Sequence, residues 1–367
     1  MRPAPSDLVS AAFRNPDGIR HYAAEDWDRL IRQARRAGLL ARLHGVLIAH
    51  DLADAIPAEV RWHFEAASTL ADKQQIAVHW EIRQLRQALS AFDFPLILLK
   101  GAAYVAAGLP AASGRRFNDI DLLVPRARLD EVEAALMLAG WHAIGLSDYD
   151  QRYYRRWMHE IPPLHHVRRA TVIDVHHAIL PDTARYHPDT SKLVQQAVLL
   201  PDCPGVAVLA PADRILHAAT HLFHDGELGH GLRDLSDLDL ALRHAAQTPE
   251  FWPQLLARAT ELELDRSLFY ALRYVRHFFA TPIPDQVDAA LKVSAPNAFL
   301  QAGMDGIFTR ALSPDHPSCD DTFTPAARLA AYVRAHWLRM PAHLLIPHLF
   351  HKTFASPHTD APTPKAA

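Results

Sequence analysis

The sequence predicts an α+β fold, a small mixed β-sheet core flanked by N-terminal and C-terminal helical regions. Three observations predict it. Short continuous apolar runs at 96–99, 120–124 and 171–177 read as buried strands, and all fall in one segment. On both sides of that segment, apolar residues recur every three to four positions, the period of an amphipathic helix. Phe94-Pro95 and Pro211 mark where the texture changes.

From 24 to 91 the pattern is helical. Leu30, Ile31, Leu39, Leu40, Leu43, Val46 and Leu47 keep helical spacing, and Pro57 suits a first turn. A second stripe is expected from Ile76, Trp80, Leu85 and Leu89. After the strand at 96–99, residues 102–107 read as a helix cut off near Gly108 and Pro110. A strand follows at 120–124. Leu129, Val132, Leu136 and Ala139 then mark a helix ending at Gly140, with a strand returning at 141–145. The runs 164–167 and 171–177 flank Arg168-Arg169-Ala170 and read as an antiparallel hairpin. Beyond Pro211, helices are expected over 212–223, 232–245, 252–264, 267–279 and 324–351. The organisation is therefore an N-terminal helical region (1–93), a core (94–205), a C-terminal helical domain (206–355) and a disordered tail (356–367), the last from its Pro and Thr content.

With 367 residues, the chain is long enough for two or three packed units. Its 38 Lys and Arg against 41 Asp and Glu leave a formal charge of −3, so no global basic field grips a long polyanion and no extensive nucleic-acid surface is expected, while a small anionic ligand or a local nucleic-acid contact stays open. Cys203 and Cys319 are too few and too far apart for a disulfide framework, so a reducing cytoplasm is expected. Residues 1–10 show no signal pattern. No apolar run reaches the roughly 18 residues of a transmembrane segment. The nearest, 337–350, is interrupted by Arg339, Pro341, His343, Pro347 and His348.

Asp119 and Asp121 lie two apart on a strand, so both leave one face, with Cα atoms about 6.5–7 Å apart. Alone, such a pair also describes a solvated strand end. Here it interrupts the apolar run Ile120-Asp121-Leu122-Leu123-Val124, where an unpartnered charge is costly. Asp174 repeats the anomaly between Ile173 and Val175, and Gly101 is expected to open a helix whose N–H groups are free to receive phosphate oxygens. Carboxylates at this spacing suit two Mg²⁺ ions about 3.5–4 Å apart, the arrangement that stabilises attacking and leaving oxygens in phosphoryl transfer.

Three motifs carry a resemblance: Leu98-Leu99-Lys100-Gly101, then Arg116 with Asn118-Asp119-Ile120-Asp121-Leu122-Leu123-Val124, then Asp174-Val175-His176-His177. Over 96–179, and more loosely around 217–242, the chain resembles the uncharacterised nucleotidyltransferase family of the polymerase-β-like superfamily. The resemblance implies that Asp119, Asp121 and Asp174 ligate Mg²⁺, that Asp174 also activates the acceptor hydroxyl, and that Gly101 lines the triphosphate of an NTP. The wider superfamily usually has Ser or Gly after that glycine, whereas Ala102 follows here. Lys100 can supply the missing contact as charge.

Arg115 and Arg116 precede the metal strand as phosphate ligands or as solvated loop residues. His176 shares a face with Asp174 and orients it, contacts the acceptor, or simply packs. His217, His221 and His224 share one helical face, lining the acceptor pocket, binding a metal, or hydrogen-bonding between domains. Asp234 and Asp237 are spaced to pair with them or with Arg233. Arg334, Trp337, Arg339, His343, Leu344, Leu345, His351 and Lys352 permit a peripheral membrane or partner contact by the C-terminal helices, or belong to a packed helix with ordinary surface cations. The expected function is Mg²⁺-dependent transfer of NMP to a small-molecule, protein or RNA hydroxyl. Two alternatives are a phosphohydrolase built on His176, His221, His224-Asp225 and Asp237, and a non-catalytic nucleotide-binding protein.

Overall fold

A computed structural model describes residues 7–345 except 146, 170, 225, 227 and 342. Seven strands form one mixed sheet: β1 (Leu96–Leu98), β2 (Ile120–Leu123), β3 (Trp141–Ala143), β4 (Leu164–His166), β5 (Val172–His176), β6 (Val198–Leu199) and β7 (Val206–Val208). Their order is β3-β4-β5-β2-β1-β7-β6. β1 runs antiparallel to β2 and parallel to β7, while β2 and β5 are parallel neighbours. The hairpin β4-β5 forms as the sequence predicts. Strands β6 and β7 were not expected, and they carry the sheet past the boundary placed at 205.

Alternation along the strands divides the core in two. Leu96, Leu98, Leu122, Ile173, Val175 and Val206 bury one face against Val78, Ile82 and Leu85 of the long helix Ala58–Ala88. Ile97, Leu123 and Ala207 bury the other against the C-terminal helices. Asp121, Asp174 and His176 share this second face by period. Gly140, at φ 98°, lets the chain turn from the helix Leu129–Leu138 into β3.

The expected stripe on the long helix is corrected. Leu85 and Leu89 are buried as expected, but Ile76 is 70% and Trp80 40% exposed, and Phe64, Ala71, Val78 and Ile82 complete the buried side in their place. Half of so long a helix faces solvent, and Trp80 finds cover from the Arg169 guanidinium 5.1 Å above its ring. Helices Asp148–Trp157, Asp285–Leu291 and Ala298–Ala311 were also not foreseen.

No helix among the described residues is long and apolar enough to cross a membrane. Two cations of the C-terminal helix Thr324–Arg339 point inward. Arg334 donates to Phe223 O and Arg339 to His224 O, each at 2.6 Å, closing the carbonyl end of helix Pro211–His224. They are therefore engaged within the fold. Asp225, His351, Lys352 and the tail 356–367 lie outside the described residues.

Candidate active site

The parallel register of β2 and β5 sets Asp121 directly beside Asp174 and Leu123 beside His176. Asp119 lies one residue before β2, exposed at the rim of the same face. The three acidic residues are thus gathered at one end of adjacent strands.

Lys100 Nζ reaches Asp121 Oδ1 at 2.9 Å, and His176 Nε2 reaches the same oxygen at 3.0 Å. Burial alone would raise the Asp121 pKa, but Lys100 and then His176 hold it well below the usual carboxylate range. An ionised Asp121 can only accept, so Nε2 carries the hydrogen. Both contacts fall on Oδ1. Asp174 is the opposite case: burial first, then Asp121, Glu160 and Asp119, push its pKa up to about 7. Its Oδ1 is buried without a hydrogen-bond partner. Asp119 is raised by crowding from protein around its open rim position and then by Asp121. Three carboxylates this close, one with an orphaned buried oxygen, fit a divalent cation by donor chemistry.

Asp174 also predicts a pH dependence. Its pKa is near 3.8 unfolded and about 7 folded, so between those values the native state binds more protons than the unfolded one. Stability of chelator-treated protein should therefore fall as pH rises from about 4 to 7 and level off above. Asp174→Asn should flatten that slope. Equal slopes in urea unfolding of the two proteins would refute the burial of Asp174 among acids.

Lys100, not Gly101, makes the turn after β1. It has φ 43°, a left-handed conformation costing about 1–3 kcal/mol in a side-chain-bearing residue. Gly101 is already helical, and a Cβ there would overlap the Arg115 guanidinium. The glycine is required by that close approach. Arg115 was expected at phosphate, but it is buried on Asp237 Oδ2 at 2.7 Å, and Arg42 Nη2 lies 2.8 Å from Asp237 Oδ1. Arg116 is exposed and borders a separate cavity with Arg35, His63 and Leu70.

His217 and His221, on helix Pro211–His224, lie within electrostatic reach of Lys100 and Asp121. Burial and then Lys100 push His217 down to about 3 and hold His221 well below its usual value, so both are neutral. His224 is apart: its Nδ1 pairs with Thr220 O at 3.0 Å, and its ring lies against Tyr186. Among the described residues, His221 and His224 belong to no group of three ligand atoms close enough to share a metal ion, and Asp225 lies outside the described residues. Asp234 pairs with Arg233 at 3.0 Å, while Asp237 pairs with neither Arg233 nor a histidine.

Sequence reasoning missed His159 and Glu160. An isolated bridge pairs Glu160 with His176, and His177 N donates to His159 O at 2.9 Å, which lays this loop along the end of β5. Nothing in the local periodicity marks them. A cavity of about 370 Å³ opens beside Asp119, bordered by Trp80, Phe117, Gln74, Arg169 and Thr171. Thr171 Oγ1 is buried there without a partner.

A seven-stranded mixed sheet with helical flanks is consistent with an α+β nucleotidyltransferase-like fold. A family model described as uncharacterised nucleotidyltransferase matches residues 23–280, and the chain belongs to that family. No curated protein and no solved structure matches it.

Proposed function

We propose that the protein is a Mg²⁺-dependent nucleotidyltransferase that moves NMP from an NTP to an acceptor hydroxyl and releases pyrophosphate. The observation that carries this reading is the β2–β5 register, which brings Asp121 beside Asp174 with Asp119 at the rim. Asp119, Asp121 and Asp174 would hold two Mg²⁺ ions, whose chemistry is to neutralise phosphate charge and stabilise the attacking and leaving oxygens. Asp174, set beside Asp121 by the strand register, would take the acceptor proton. The acceptor oxygen then bonds to the α-phosphorus while the bond to the β-phosphate oxygen breaks, and pyrophosphate leaves with that electron pair. Lys100, beside Asp121, supplies positive charge for the triphosphate. The cavity at Asp119, with aromatic walls and a free hydroxyl, offers room for the rest of a substrate.

The test is incubation of the protein with Mg²⁺, cell extract and each NTP labelled at the α or the γ position. Transfer predicts an acceptor labelled from the α position only, with γ label recovered in pyrophosphate. Release of orthophosphate alone would make the protein a hydrolase. Saturable NTP binding with no product from any nucleotide would make it a binding protein.

A further inference from the structure

Beside the carboxylate centre lies a second donor set that the transfer reading does not use. His159, Glu160 and His176 each present a ligand atom, and these atoms all lie within 4.8 Å of one another. His176 is 3% exposed, and its Nδ1 faces Glu160 Oε2 at 3.3 Å without forming a hydrogen bond. His159 Nδ1 is likewise buried and without a partner. Two buried nitrogens without partners beside a carboxylate are costly unless something occupies the space between them.

We infer that His159, Glu160 and His176 form a binding site for one divalent transition-metal ion of the zinc class. Two imidazoles and one carboxylate make a three-ligand set with an open position, and imidazole favours Zn²⁺ or Co²⁺ over Mg²⁺. The far side of His176 strengthens the assignment. Its Nε2–H is held by the Asp121 carboxylate, which leaves the Nδ1 lone pair directed toward Glu160. A carboxylate bonded behind a ligating histidine fixes its tautomer and orientation, the usual second contact of such ligands. Burial keeps His159 neutral, so its lone pair is available as well. An ion here ties the loop at His159 to the end of β5 and fixes His176 against Asp121. The alternative occupant is a proton, with His176 held as an imidazolium between Asp121 and Glu160.

The two occupants are separated with Co²⁺ as a spectroscopic probe on full-length, chelator-treated protein. With excess Mg²⁺ present to occupy the carboxylate centre, the metal site predicts one Co²⁺ equivalent bound near neutral pH, with visible d–d absorption that Zn²⁺ displaces. Glu160→Gln and His159→Gln should each weaken Co²⁺ binding about 100-fold or more, whereas Asp119→Asn should leave it unchanged. Circular dichroism establishes that each variant is folded, and Glu160, its side chain 18% exposed, provides the variant less demanding on the fold. Absence of a bound equivalent in wild type, or binding lost in Asp119→Asn and kept in Glu160→Gln, overturns the inference. No step of this experiment requires nucleotide, so its outcome is independent of the proposed transfer.

Discussion

Asp119→Asn should lower NMP transfer about a thousandfold, a loss of about 4 kcal/mol of transition-state stabilisation. Asn keeps the shape of the side chain and removes the charge that a cation needs. Asp119 is the cleaner of the two strand-end positions because no ion pair ties it among the described residues and it is exposed. Its folding stability should therefore change little. Asp121→Asn should be as damaging, but it also removes the carboxylate that both Lys100 and His176 contact. The measurement is single-turnover transfer from α-labelled NTP, with denaturant midpoints recorded in parallel. Undiminished transfer by the double variant would refute the proposed centre. A fall in transfer matched by a fall in folded protein would say nothing for it, which is why the Asp119 variant leads.

Asp237→Ala should cost about 3–5 kcal/mol of folding stability, because it leaves two buried guanidinium groups uncompensated. Arg42 comes from the helix Leu40–Ala49, Arg115 from the loop before β2, and Asp237 from the helix Gly231–Ala245. Arg42 is tied further to Ser236 Oγ at 2.9 Å and Ala111 O at 2.6 Å. One carboxylate thus joins the N-terminal helices, the core and the C-terminal helices. Replacing all three charged residues with apolar ones of similar volume should recover much of the loss, since the penalty comes from stranding charge. Urea unfolding of the single and triple variants checks both statements. A single-variant loss below about 1 kcal/mol would show that the pair is screened. Because Arg115 rests over Gly101, the single variant should also loosen the turn at Lys100.

The strands β1, β2 and β5 were legible because each is an apolar, largely β-branched or leucine run bounded by polar residues or glycine. Asp121 and Asp174 were legible for the same reason, each being a charge within such a run. What escaped was set by contacts distant in sequence. Asp237 reads locally as a partner for Arg233, and its true partner Arg115 lies 122 positions away. Strand β7 is only Val206–Val208, too short to show a period before it pairs with β1. Glu160 and His159 lie in a loop, and only the pairing of Glu160 with His176 gives them a place. Trp80 was assigned to the core by spacing, whereas the helix carrying it is covered along one side only.

The parallel pairing of β2 and β5 has a consequence for biosynthesis. Neighbouring parallel strands cannot be joined by a tight turn, so the chain must lay down β3, the helix Asp148–Trp157 and β4 before β5 arrives. Non-local pairings of this kind form late and slowly. A chain emerging from the ribosome therefore carries Asp119 and Asp121 for a long stretch of translation with no Asp174 beside them, and the proposed carboxylate centre is complete only once the sheet has closed.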